Sequence, residues 1–191
     1  RIVAFISAMA TVRYELSLPL PKKEEHAYLL YRLSLRIAKI IFISLLVLSF
    51  VYFILTSQSL YNVSFYIITL ISAVFTVIIN LGTNWSIRKK QFKRISNSRI
   101  VNSLSSNLLR WVFGVFHFGS LGLIFASLMG YLLSSIGFIK DWRVLHKNNR
   151  SFFSKKKTKV LIKEYSEFPI INLPHVLIDL GKDLFIAFLI V

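Results

Sequence analysis

Uncharged, mostly apolar stretches alternate with basic stretches along this chain of 191 residues. No Asp, Glu, Lys or Arg interrupts residues 40–87 or residues 111–139. A helix needs about 20 predominantly apolar residues to cross a bilayer. The first stretch therefore predicts two crossings, residues 38–56 and 63–81, and the second predicts a crossing at residues 118–139.

Shorter segments complete the predicted organisation. Residues 100–116 predict a further crossing that is polar on one side, and residues 28–36 predict an amphipathic segment that runs along the interface into the next crossing. Residues 1–11 are apolar but too short to span a bilayer, and an apolar helix begins near residue 171. We expect an all-α transmembrane helical bundle that is part of a longer protein.

Charge placement predicts the orientation of these crossings. The net charge is +16, 55% of the residues are hydrophobic and the mean hydropathy is +0.63. Lys and Arg concentrate in residues 13–36, 86–99 and 140–163, whereas the turns at 57–62 and 117–120 contain none. Because basic loops stay on the cytoplasmic side, we expect a multi-pass inner-membrane protein with these three segments in the cytoplasm. The same placement argues against a nucleic-acid partner.

A polar stripe follows the crossing at residues 100–116. Six residues recur every three or four positions, which places them on one helix face: Arg99, Ser103, Ser106, Arg110, Gly114 and His117. Asn102 and Asn107 lie beside this face. Arg110 lies about 16 Å along the axis from Arg99, near the estimated midplane. A charge there is costly unless it meets water or a partner. Arg110 is therefore either a cation lining a cavity or an arginine that snorkels to the headgroups.

The crossing at residues 63–81 carries a second polar stripe, of Thr69, Ser72, Thr76, Asn80 and Asn84. This stripe either lines a cavity, like the first one, or forms the hydrogen bonds across helices that hydroxyl groups in membrane helices commonly make. We expect the second for the first three residues. Asn80 and Asn84 lie near the cytoplasmic rim, where we expect them to contact a polar substrate. The candidate substrate-binding residues are thus Arg110, Ser106, Asn107, Ser103, Asn80 and Asn84.

Small residues recur at spacings of four in the crossing at residues 118–139. They are Gly122, Ala126, Gly130 and Ser134. Such a ladder lets a second helix approach closely. We therefore expect a packing surface here, without chemistry.

The last helix carries ionisable side chains on one face. His175, Asp179 and Asp183 are spaced by four residues. Acidic groups in a span are candidate proton carriers, so these three are candidates for ion coupling. Alternatively, Asp179 and Lys182 neutralise each other as an i,i+3 pair.

Signatures of enzymes and cofactor sites are lacking in the sequence. There is no cysteine, nucleophile elbow, phosphate-binding loop or spaced set of metal ligands. We therefore expect neither an enzyme nor a cofactor or metal. The basic tract at residues 155–159 either contacts anionic membrane lipids or is an ordinary cytoplasmic loop.

Three segments resemble the polysaccharide flippases, a branch of the multidrug/oligosaccharidyl-lipid/polysaccharide exporter superfamily. Residues 10–27 read ATVRYELSLPLPKKEEHA, residues 84–99 read NWSIRKKQFKRISNSR, and residues 164–174 read EYSEFPIINLP. They resemble, respectively, the segment after the family's second helix, its loop between helices four and five, and the start of its helix seven. Their order along the chain is the order in the family.

The resemblance implies about twelve helices in two bundles of six. Residues 1–170 would then form most of the first bundle, from the end of helix two, and residues 171–191 the start of helix seven. The implied function is translocation of an undecaprenyl-pyrophosphate-linked oligosaccharide, driven by a proton or sodium gradient. A drug exporter of the same superfamily, or a membrane-embedded glycan polymerase or ligase, is the alternative. Asp179 and Lys182 depart from the neutral residues that the family has in helix seven.

Overall fold

A computed structural model describes residues 2–56, 60–149 and 154–190, and all of their regular secondary structure is helical. A 3₁₀ turn at Tyr14–Ser17 joins the first two helices, and a π-helical turn at Phe168–Asn172 precedes the last one. The described residues form seven α-helices: α1 (Ile2–Thr11), α2 (Glu24–Thr56), α3 (Leu60–Arg88), α4 (Phe92–Val115), α5 (Gly119–Asn148), α6 (Lys155–Glu164) and α7 (Leu173–Ile190). The expected all-α fold is therefore confirmed for the described residues.

Three of the described helices, α2, α3 and α5, have the length and apolar composition of membrane spans. α4 is long enough at 24 residues but is not among them. Its sequence carries Lys93 and three arginines, Arg94, Arg99 and Arg110, besides several serines and asparagines, and these lower its hydropathy. The crossing predicted at residues 100–116 thus exists as a helix, but as one whose polar groups need partners or water.

Basic residues extend the helices further than the sequence patterns predicted. Residues 28–36 run into the next helix within α2, as predicted, whereas the predicted loop at residues 84–99 is wrong. α3 continues to Arg88 and α4 begins at Phe92, so the connection is short and turns at Lys90, whose φ is 56°. Lys and Arg are good helix formers, so a basic segment flanked by two helices is readily absorbed into both.

The predicted ladder of small residues is a packing surface. Its four members, Gly122, Ala126, Gly130 and Ser134, are all buried. A Cβ atom added at Gly130 would lie 2.7 Å from Asn102 Oδ1 and 2.9 Å from Ser106 Cβ, both on α4. The prediction of close helix packing is therefore confirmed, and the neighbour is α4.

One end of the bundle, which we call the basic end, carries the first residues of α2, the last residues of α3 and α5, and α6. Its core contains stacked rings. The ring centroids of Tyr31 and Trp142 are 4.5 Å apart, and those of Trp142 and His146 are 5.3 Å apart. The Tyr28 hydroxyl is 2.8 Å from His146 Nδ1. Aromatic burial of this kind contributes more to stability than exposed ion pairs do.

Ion pairs surround this aromatic core. Lys157 of α6 lies 2.7 Å from Glu25 of α2, and Lys89 contacts Glu24. Arg94 of α4 forms an ion pair with Asp141 of α5. The guanidinium of Arg88, at the end of α3, donates to the Pro21 carbonyl before α2. The basic end is therefore closed by packed aromatic rings within a rim of ion pairs.

Candidate functional site

Arg110 lies on α4, five residues before the last residue of that helix. This corresponds to about 8 Å along the axis. Arg110 is therefore nearer to the end of α4 than the midplane estimate from Arg99 implied, and it lies in the half of the bundle away from the basic end.

The Arg110 guanidinium reaches sideways to the neighbouring helix. Its Nη2 donates to Ser127 Oγ of α5 at 2.9 Å, and its Nη1 donates to Asn107 Oδ1 at 3.4 Å. The Ser127 hydroxyl in turn donates to the Leu123 carbonyl at 3.0 Å. This arrangement holds the guanidinium of an exposed side chain beside α5, and the choice between a cavity-lining and a snorkelling Arg110 stays a prediction.

Two cavities meet at this guanidinium. The large cavity has a volume of about 640 Å³ and lies between α1, α3, α4 and α5. Aliphatic and aromatic side chains form much of its wall, and its polar lining comes from Thr69, Ser72, Arg110, Ser127 and Tyr131.

The small cavity has a volume of about 240 Å³ and lies between α4 and α5. Every residue of its lining has a polar side chain, and two are arginines. Its lining residues are Arg99, Asn102, Ser103, Ser106, Arg110, Ser127 and Tyr131.

The two cavities share Arg110, Ser127 and Tyr131, and the described residues that line them include no Asp or Glu. The site therefore has a net positive charge with hydroxyl and amide groups beside it. Such a surface offers hydrogen bonds to an anion through the guanidinium and to sugar hydroxyls through the neutral groups.

The structure brings together some of the predicted site residues and separates others. Ser103 and Ser106 line the small cavity beside Arg110, and Ser106 is buried. Asn107 contacts the Arg110 guanidinium but lies on a different surface pocket, with Trp111.

Asn80 and Asn84 lie further along α3, toward the basic end. The Asn84 side-chain amide donates to the Asn80 carbonyl at 2.9 Å, within its own helix. Neither residue belongs to the lining of the large or the small cavity. The contact with substrate expected for these two asparagines has no support in this arrangement.

The hydroxyl stripe of α3 does not form the expected bonds between helices. Thr69 donates to the Phe65 carbonyl at 2.8 Å, and Ser72 donates to the Ile68 carbonyl at 2.8 Å. Thr76 likewise donates to the Ser72 carbonyl at 2.9 Å. A hydroxyl four residues after a carbonyl can satisfy itself without a partner helix, so the prediction of interhelical bonding is wrong.

Two of the three ion-coupling candidates on α7, His175 and Asp179, are exposed. His175 Nδ1 lies 3.3 Å from Asp179 Oδ2, and Lys182 Nζ lies 4.0 Å from Asp179 Oδ1. The side chain of Asp183 lies outside the described part of the chain. Among the residues described, no group of three or more His, Asp or Glu is placed to hold a metal ion. The i,i+3 ion pair between Asp179 and Lys182, which was the alternative to an ion-coupling role, is present in the structure.

Two residues of the site, Ser127 and Tyr131, were missed in the sequence. They lie four residues apart on α5, each one position after a member of the small-residue ladder. The sequence shows that Ser127 and Tyr131 lie on one helix face, but it does not show which helix that face contacts.

Comparisons with protein-family models, curated proteins and solved structures give no match. The flippase interpretation therefore depends on the three resembling segments and on the site described above.

Proposed function

We propose that this chain is part of a flippase that moves an undecaprenyl-pyrophosphate-linked oligosaccharide across the inner membrane by alternating access. The observation that carries the proposal is the position of Arg110. Its guanidinium lies where the two cavities meet, among neutral hydroxyl groups and with no acidic residue in the described lining.

The chemistry of such a cargo matches this site. A pyrophosphate and its sugars cannot enter hydrocarbon without losing their hydrogen bonds to water, which is costly. A guanidinium presents donors in a planar fork that binds two phosphate oxygens at once, and it stays charged at any accessible pH. Serine, asparagine and tyrosine side chains nearby replace water around the sugars.

The exposed apolar surface of the bundle supports the same proposal. Residues 40, 43, 46–48, 50 and 51 of α2 are exposed apolar residues, and this helix meets the length requirement for a span. We place this surface against membrane lipids and the basic end in the cytoplasm, which is the orientation that the distribution of Lys and Arg favours. The lipid tail of the cargo stays in the bilayer while its head group occupies the cavity.

Replacement of Arg110 tests this proposal in a strain whose own lipid-linked oligosaccharide flippase is deleted. A charged hydrogen bond contributes about 1.5–3 kcal/mol, so Arg110→Ala is expected to abolish export of the surface glycan. Arg110→Lys keeps the charge but loses the fork, and it should retain partial export.

Arg143→Ala serves as the matched control, because Arg143 is an exposed arginine near the basic end of α5. It should leave export unchanged. Membrane abundance of each variant is measured by immunoblot. Normal glycan export by Arg110→Ala at normal abundance would refute the binding role of Arg110.

A further inference from the structure

Glu15 is a buried acidic residue outside the site described above. It lies in the 3₁₀ turn between α1 and α2, at the basic end, and its side chain is only 1% exposed. The two residues just before the turn, Val12 and Arg13, have φ values of 49° and 60°. Non-glycine residues adopt such values at a cost in energy, and Val is especially unfavourable there because it is β-branched.

Among the described residues, one oxygen of this carboxyl group is paired and the other is not. Arg13 Nη1 lies 3.4 Å from Glu15 Oε1, whereas Oε2 is buried and has no hydrogen-bond partner among the described residues. Arg13 Nε is likewise buried without a described partner. The Thr11 hydroxyl donates to the Ser7 carbonyl at 3.3 Å, and it also favours the charged form of the Glu15 carboxyl. A charged carboxylate here is thus incompletely compensated.

The environment favours the neutral acid. Burial raises the pKa of Glu15 above its ordinary value of 4.5, and it outweighs the opposing effects of Thr11, of the backbone amide and of Arg13. Of the charges in the described residues, that of Arg13 is the one that contributes to the pKa of Glu15.

Among the described residues, the elements packed against the turn, including α6 with its lysines, supply no second charge that contributes to the pKa of Glu15. On α2, Glu24 and Glu25 pair with Lys89 and Lys157. On α3, Arg88 donates to the carbonyl groups of Pro19 and Pro21, between the turn and α2. The π-helical turn at Phe168–Asn172 contains no titratable residue.

We propose that Glu15 is a proton-binding site, and that its charge controls how firmly the turn between α1 and α2 packs into the basic end. The proton adds a donor to the unpartnered oxygen and removes a buried negative charge. Loss of the proton leaves that charge without full compensation, so the turn loosens. This site is independent of the cargo and of Arg110.

The turn is placed to pass such a change to its neighbours. The Tyr14 hydroxyl donates to the Ile162 carbonyl of α6 at 3.3 Å. Leu18, at the end of the turn, is fully buried in the core of the basic end. Loosening of the turn therefore weakens the contact between α1, α2 and α6.

The pH range over which the turn loosens follows from the raised pKa of Glu15. The folded turn holds its proton between pH 4.5, the ordinary value for a glutamate, and its own raised pKa. The packing is strongest at and below the lower value, and it weakens as the pH rises through the raised pKa.

Hydrogen exchange and infrared spectroscopy of the protein in lipid nanodiscs test this proposal. In the wild type, amide exchange of residues 14–18, corrected for its intrinsic pH dependence, should accelerate several-fold as the pH rises through the pKa of Glu15. Glu15→Gln imitates the protonated acid, so exchange in this variant should stay slow at every pH.

The carbonyl absorption of a protonated carboxylic acid should persist above pH 4.5, the ordinary pKa of glutamate, and it should diminish in Glu15→Gln. Glu24→Gln is the matched control, because Glu24 is exposed and paired with Lys89, and it should leave this absorption unchanged. An unchanged absorption in Glu15→Gln would overturn the assignment of the proton. Exchange in the wild-type turn that does not vary with pH after correction would overturn the coupling, whether or not the variant folds.

Discussion

Single glycines set the distance between helices in this bundle. Gly130 of α5 faces α4 without room for a side chain, whereas a Cβ atom added at Gly137 of the same helix would meet nothing within 4 Å. The two residues therefore form a matched pair, in which sequence context is similar and the neighbour differs.

Gly130→Leu is expected to destabilise the protein by about 1–3 kcal/mol, because the new side chain forces α4 and α5 apart. Gly137→Leu should cost much less, because its side chain projects into open space. Thermal unfolding in detergent, followed by size-exclusion chromatography, measures both. Equal midpoints for the two variants would show that the α4–α5 contact is looser than described.

The sequence predicted those residues of the site whose position depends on spacing within one helix, and it did not predict those whose position depends on packing between helices. Arg110, Ser103 and Ser106 were predictable because helical spacing alone places them on one face. The pairing of Arg110 with Ser127 was not, because it depends on how α5 is rotated against α4. The burial of Glu15 depends on contacts with α2, α3 and the π-helical turn, which the sequence pattern does not specify.

At the scale of elements, α6 shows how a basic segment can be structured. The sequence predicted a cytoplasmic loop at residues 140–163, but α5 extends to Asn148 and α6 begins at Lys155. The Ser154 hydroxyl caps α6 by accepting from the Lys157 amide at 3.4 Å. A serine at this position is a recognised start signal, but the excess of lysine obscured it.

One apolar residue anchors α6 to the bundle. Leu161 is 2% exposed and belongs to the core of the basic end, whereas the preceding residue, Val160, is 61% exposed. Leu161→Ala should therefore loosen α6 at a cost of about 2–5 kcal/mol, because it removes a buried side chain and leaves a cavity.

Hydrogen exchange of α6 measures this effect, with Val160→Ala as the neighbouring control. Amides of α6 should exchange faster in Leu161→Ala and at the wild-type rate in Val160→Ala. Unchanged or slower exchange in Leu161→Ala would mean that α6 is held by its own helix propensity, which alanine raises, rather than by docking.

At the scale of the whole molecule, the two ends of the bundle differ in how their interior is filled. The basic end holds packed aromatic rings and leucines, while the opposite half holds the large and small cavities around Arg110. The apolar stretches of the sequence predicted the main helices, since their length exceeds what a soluble helix requires. The difference between the two ends was not predicted, because it arises from packing between residues far apart in sequence.

The proposed flippase activity is tested most directly with the purified protein in vesicles that contain a fluorescent undecaprenyl-pyrophosphate-linked oligosaccharide. A membrane-impermeant quencher reports the fraction of this lipid in the outer leaflet. We expect the wild type to equilibrate the lipid between leaflets much faster than protein-free vesicles do, and Arg110→Ala to lose most of this acceleration. Movement no faster than in protein-free vesicles, with wild-type protein that is folded and inserted, would contradict the proposed function.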